Sequence, residues 1–259
     1  MKLPRPIKRR VRALLGRFVT LQEPLELVDI SPGEWQVIAA VKPYTMTTPP
    51  RVVGLLRAVD YLVKAGIPGA MVECGVYKGG SMLAVAMKLR ELGVSDRELW
   101  LYDTFEGMVA PGAADLDWQG KPAMQDYQAH QAEDGSSQWA RAGVEEVRNN
   151  LAASGYPGER TRYVIGKVED TIPKTLPGQI ALLRLDTDWY ESTKHELEHL
   201  YPLLAPGGVL IIDDYGHYQG CRQAVDEYLA KLDHPLLLQR MDYSGRLAVK
   251  PFRPPAGGS

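Results

Sequence analysis

Two cysteines in 259 residues are too few for a secreted disulfide scaffold or a cysteine-rich zinc site. Cys74 and Cys221 therefore read as free thiols, and the chain as cytoplasmic. No run approaches the ~18 apolar residues of a membrane span, and Arg10, Arg12 and Arg17 interrupt every early stretch that would serve as a signal-peptide core. A strong charge of one sign is also missing. Thirty basic against 32 acidic residues leave a formal −2, which supplies no field for wrapping nucleic acid. There is no repeat and no G-x-G-x-x-G fingerprint. What is present, 45% hydrophobic and 24% charged residues, is the composition of one α/β domain with arms. The local exception is residues 1–17, where Lys2, Arg5, Lys8, Arg9, Arg10, Arg12 and Arg17 meet no acid. A basic arm or helical extension over 1–40 is expected, with 41–251 as the folded domain and 252–259 as a loose tail. An arm ahead of a core domain often packs on a second copy, so a homo-oligomer is expected.

Strand and helix patterns alternate along the domain. Val52, Leu55, Leu56, Val59 and Leu62 recur at helical spacing after Pro49-Pro50, predicting a helix over 50–65. A short apolar strand at 70–72 then runs into Glu73-Cys-Gly-Val-Tyr-Lys-Gly-Gly-Ser81 and a helix to about Leu92. Further strands are predicted over 99–103, 162–165, 180–186 and 208–213, with helices over 144–154, 191–204 and 220–232. This alternation implies a doubly wound, mostly parallel sheet, a Rossmann-like arrangement, because parallel neighbours need crossover connections. Two last strands around Asp242-Tyr-Ser-Gly245 predict an antiparallel edge hairpin. Residues 106–139 fit neither period. Their length and their Trp118, Tyr127, His130 and Trp139 predict a lid.

Ligands of open α/β sheets bind at the carboxyl ends of strands, and here those ends are acidic: Glu73, Asp103, Asp186-Thr-Asp188 and Asp213-Asp214. An acid ahead of the glycine turn repels a pyrophosphate and suits an ammonium. An amino-acid-bearing nucleoside, S-adenosylmethionine, fits that turn better than NAD. Glu73 would lie near its methionine end, Gly75 beneath it, Ser81 near its carboxylate and Asp103 on its ribose. The carboxylates of the later strands repel one another unless a cation neutralises them, and oxygen-only ligands select Mg²⁺ or a similar hard ion. His195 and His199, with Glu196 and Glu198 around them, read as one solvated helix face. His217 and Tyr218, just past the last acidic strand end, could face the acceptor but read first as loop residues.

Six blocks carry a family resemblance: Tyr44-Thr-Met-Thr47, Val72–Ser81, Tyr102-Asp-Thr-Phe-Glu-Gly107, Gly166-Lys-Val-Glu-Asp-Thr171, Leu185-Asp-Thr-Asp-Trp-Tyr-Glu-Ser-Thr193 and Ile212-Asp-Asp-Tyr215. In this order, over about residues 40–250, they resemble the macrocin O-methyltransferases, metal-dependent enzymes that use S-adenosylmethionine to methylate sugar hydroxyls of natural products. The resemblance implies that Thr45 and Met46 close over the cofactor and that Lys167 and Val168 lie near its adenine. It further implies that Asp186, Asp213 and Asp214 bind Mg²⁺ while Asp188 is the general base. Spacing alone does not divide those roles between Asp186 and Asp188. The expected acceptor is a sugar-containing small molecule, best a vicinal diol, neither nucleic acid nor membrane. A catechol-type O-methyltransferase would share fold, ion and cofactor, an NAD-dependent oxidoreductase would need no ion, and a non-catalytic module would bind nucleoside without turnover.

Overall fold

The computed structural model describes residues 28–252, so residues 1–27 of the expected arm and nearly all of the tail lie outside the described residues. Within them the elements are α1 (Pro32–Val41), α2 (Pro49–Lys64), β1 (Ala70–Cys74), α3 (Gly80–Glu91), β2 (Leu99–Asp103), α4 (Ala123–Ala129), α5 (Val144–Ala152), β3 (Thr161–Ile165), α6 (Val168–Thr171), β4 (Ile180–Leu185), α7 (Tyr190–Leu200), β5 (Leu204–Ile212), α8 (Gln219–Leu229), β6 (Gln239–Arg240) and β7 (Arg246–Val249). The strands form one sheet in the order β3-β2-β1-β4-β5-β7-β6. β1 to β5 are parallel, and β7 adds antiparallel to β5. The sheet is thus the expected doubly wound one with an antiparallel edge, and its order reverses between β1 and β4.

Strand alternation divides the core in two. Met71, Leu101, Leu182, Val209 and Ile211 face α1, α2, α3 and α5. Val72, Cys74, Leu183, Leu185, Leu210 and Ile212 face α7 and α8. Each fully buried leucine or isoleucine contributes about 1.5–3 kcal/mol by leaving water, which is why all six residues of β4 are buried, Arg184 among them. That arginine is the one charge in the strand, and it prepares the site.

The folded unit begins before residue 41. Pro32–Val41 is a helix closed by a capping box, with Ser31 N donating to Glu34 Oε2 (2.7 Å) and Glu34 N to Ser31 Oγ (3.3 Å). Val37, Ile38 and Val41 are buried in the core, so part of the expected arm is domain. The 106–139 stretch is also more built than a loop. It holds α4, pairs as isolated bridges Leu116 with Pro122 and Asp117 with Tyr218, and accepts the Trp189 indole N–H on Val109 O (3.0 Å). Buried Asp115 fixes it to the domain, accepting from Gly112 N (2.7 Å) and from Tyr190 N (2.8 Å) at the start of α7. No helix among the described residues is long and apolar enough to cross a membrane.

Candidate active site

Register builds the site. Glu73, Arg184 and Ile211 are cross-strand partners on β1, β4 and β5, and side chains two apart share a face. Glu73, Arg184, Asp186 and Asp213 therefore converge on the α2 side of the sheet. The Arg184 guanidinium, 3% exposed, donates from Nη1 to Glu73 Oε1 (2.6 Å) and Asp186 Oδ2 (2.7 Å). Its Nη2 donates to Asp213 Oδ1 (2.6 Å) and Thr47 Oγ1 (3.1 Å). A second buried arginine, Arg51 on α2, pairs with Asp213 Oδ2 and with Asp242 (3.0 Å). Neither arginine was singled out in the sequence. Their signal was a lone cation inside an otherwise apolar buried strand, and one on the buried stripe of α2.

Asp213 was expected as the third ion ligand. Its two carboxylate oxygens instead face Arg184 and Arg51, because alternation turns it to the same side of the sheet as those guanidiniums. The carboxylates that come together are Asp186, Asp188 and Asp214, with one oxygen from each lying within 4.8 Å of the others. Asp188 reaches this position from left-handed backbone, φ 70°, a conformation that aspartate tolerates better than most residues and that tends to mark functional turns. The group fits a hard divalent ion: every donor is a carboxylate oxygen, and Asp214 Oδ2 is buried with no hydrogen-bond partner. Burial pushes the Asp188 carboxyl up to about 8, and neighbouring Asp186 and Asp213 push the same way. Burial likewise holds Asp186 and Asp214 well above the usual carboxylate range, against the pull of Arg184 on Asp186.

Beside the cluster, at the reversal between β1 and β4, lies a cavity, at the place where open α/β sheets bind their ligands. Met46, Gly75, Asp103, Lys167, Val168, Asp186 and Asp188 line it, together with Trp139 from the 106–139 segment. Gly75 is required there. At φ 80°, a Cβ would stand 2.1 Å from Asp186 O, so only glycine lets the turn lie against the start of the acidic segment. Thr45 sits just outside, its hydroxyl donating to Thr47 Oγ1 (2.8 Å), and it packs where a Cβ on Gly80 would touch it at 2.7 Å. The Tyr44–Thr47 segment is thus seated on the beginning of α3.

Glu73 and Ser81 are buried behind the cavity rather than lining it. Burial raises the Glu73 carboxyl to about 7 in spite of Arg184, and its Oε2 has no partner. An unpaired buried acceptor suits a cationic donor such as an ammonium. Asp103 has a second duty that its position in the sequence did not reveal. Its Oδ2 accepts from Val76 N (2.6 Å) and Tyr77 N (3.2 Å), and its Oδ1 from Phe105 N (2.7 Å), so it holds the glycine turn in place.

One expectation on α7 changes, and the loop ahead of α8 gains a role in packing. Glu196 is fully buried, accepting from Thr187 Oγ1 (2.9 Å), and half-buried His195 contacts Ile172 O through Nε2 at 2.9 Å, whereas Glu198 is exposed as expected. Tyr218 is buried edge-on against Trp189, with ring centroids 4.9 Å apart, and His217 stands against it at 4.5 Å. Both belong to an aromatic wall that continues inward through Trp139 to the cavity.

The family model described as Macrocin-O-methyltransferase (TylF) matches residues 35–247. The chain is 35% identical over 195 residues to an 8-demethyl-8-(2,3-dimethoxy-alpha-L-rhamnosyl)-tetracenomycin-C 4'-O-methyltransferase of Streptomyces olivaceus, covering 75% of this chain and 69% of that one. It is 34% identical over 185 residues to a mycinamicin III 3''-O-methyltransferase of Micromonospora griseorubida, covering 71% and 70%. Among solved structures, the O-methyltransferase NovP superposes with a TM-score of 0.71 at 31% identity, covering 81% of this chain and 83% of that one.

Proposed function

Because the chain belongs to the macrocin O-methyltransferase family, we propose that it transfers the methyl group of S-adenosylmethionine to a sugar hydroxyl of a natural product, with a divalent ion, best Mg²⁺, in the acidic cluster. The observation that carries the reading is the adjacency of two unlike sites. A cavity at the strand reversal stands beside a group of three carboxylates, two of which, Asp186 and Asp188, line it. The names of the relatives, one of which specifies a rhamnosyl group, favour a sugar over a catechol. The acidic base points the same way, since an alcohol needs more help to ionise than a phenol does.

Asp186 and Asp214 would hold the ion, and Asp213 would buttress them through Arg184 and Arg51. When bound, the ion supplies Lewis acidity that lowers the acceptor hydroxyl's pKa, and the cofactor supplies an electrophilic methyl group. The chain's own residues do the rest. Glu73 takes the cofactor's ammonium, Asp103 faces its ribose while holding the turn, and Lys167 and Val168 flank the adenine. Thr45 and Met46 cover the cofactor, and Trp139 closes the cavity against water. Asp188 would take the proton of the acceptor hydroxyl, whose oxygen would gain the cofactor's methyl group to give a methyl ether and S-adenosylhomocysteine.

Calorimetry tests the cofactor half of this reading. S-adenosylhomocysteine should bind with a stoichiometry near one per chain, and NAD should give no saturable heat. The reverse preference would return the site to the oxidoreductases.

A further inference from the structure

We propose that Arg184 is a positioning residue that sets the cofactor-side carboxylate and the ion-side carboxylates at a fixed separation, an inference that rests on the function proposed above. One guanidinium joins four segments of chain: Glu73 at the end of β1, Asp186 after β4, Asp213 after β5 and Thr47 ahead of α2. Each carboxylate gives Arg184 a single oxygen. Glu73 uses Oε1 and leaves Oε2 without a partner, Asp186 uses Oδ2, and Asp213 uses Oδ1 while Oδ2 goes to Arg51. The fork therefore leaves one oxygen of Glu73 and one of Asp186 outside its grip.

Charge pairing with Glu73, with Asp186 and with the Asp213 it shares with Arg51 is something any cation at this place would supply. What Arg184 adds is geometry. Its planar group presents two parallel edges, and at 3% exposure it has no freedom to turn toward water. Through Thr47 the same group also registers the segment whose Met46 lines the cavity. A lysine at this place would keep the charge but not the fork, since an ammonium on a flexible stem cannot hold three carboxylates at fixed spacing.

The test is Arg184→Lys, with the two ligands measured separately. S-adenosylhomocysteine affinity is read by calorimetry in chelator, and Mn²⁺ affinity by electron paramagnetic resonance without cofactor. The proposal expects a cooperatively melting protein that loses about 10–100-fold in each affinity, the usual worth of a residue that orients ligating groups. A purely structural arginine would lower the melting temperature and leave both affinities near wild type, and that result overturns the role. So does a fall in one affinity alone. Arg184→Ala offers a second readout. Millimolar guanidinium should restore part of the S-adenosylhomocysteine affinity and methylammonium should not, and equal effects of the two cations would overturn the proposal. If Arg184→Ala does not fold, Arg184→Lys decides alone. If the unmodified chain binds no S-adenosylhomocysteine, the cofactor reading falls and this proposal with it. Wild-type binding with an unaffected Arg184→Lys overturns the positioning role only.

Discussion

Asp188→Asn should cut turnover by about 10²–10⁴-fold, the span usual for loss of a general base, while leaving S-adenosylhomocysteine affinity near wild type. Asparagine fills the same space, tolerates the same left-handed backbone and still offers an oxygen to its neighbours, so the turn at φ 70° should survive. What it lacks is a place for the acceptor's proton. Raising pH should recover part of the lost rate, since solvent hydroxide can then remove the proton. The variant also divides the roles within the acidic cluster, where Asp188 lies close enough to Asp186 and Asp214 to share an ion. If Asp188 is the base, Mn²⁺ affinity holds while turnover falls. If Mn²⁺ affinity falls together with turnover, Asp188 is a ligand and the base lies elsewhere. Undiminished turnover would remove Asp188 from the chemistry.

Removing divalent ions should abolish methyl transfer, and Mg²⁺ should restore it. The same experiment has a second readout in stability. Folded Glu73 holds its proton up to about pH 7 and folded Asp188 up to about 8, because burial penalises their charged forms, whereas in the unfolded chain such groups titrate near pH 4. Between about pH 5 and 8 the folded state therefore binds more protons than the unfolded one, and stability falls as pH rises. Asp186, Asp214 and Glu196, raised for the same reason, act in the same direction. His217, lowered by burial, opposes them, since its folded form gives up its proton early. The expected result in chelator is a melting temperature that declines from pH 5 to pH 8. Mg²⁺ should reverse the decline, because an ion bound only by the folded state stabilises it by mass action and takes the place of the shared protons. Full activity in excess chelator, or a melting temperature indifferent to Mg²⁺ at pH 8, would contradict the ion site.

The sheet was legible because its signals are local. The apolar runs of β1, β2 and β4, the helical spacing after Pro49-Pro50 and the hairpin around Asp242–Gly245 each need only neighbouring residues to be read. The strand ends were legible for the same reason, so the acids and Gly75 fall together once the strands are parallel and in register. Partnership across the sheet was not. Arg184 makes sense only when Glu73 and Ile211 are known to lie beside it, and Arg51 only when α2 is docked near the end of β5. Asp213 shows the consequence. By spacing it looks equivalent to Asp214, yet alternation gives one to the arginines and the other to the acidic cluster. Helix α1 falls within the stretch expected as arm or helical extension, and the capping box of Ser31-Pro-Gly-Glu34 marks where it starts. Glu196 misled because a carboxylate between two histidines on a helix usually faces water. Here Thr187 supplies the hydrogen bond that lets it stay buried.

The most direct measurement of the central claim is methyl transfer itself. The purified chain is incubated with Mg²⁺, methyl-labelled S-adenosylmethionine and a panel of natural-product glycosides set against simple catechols, and the products are read by mass spectrometry. The account predicts one methyl group added to the sugar of a glycoside and none to the catechols. Label on the catechols with every glycoside unmodified would contradict it.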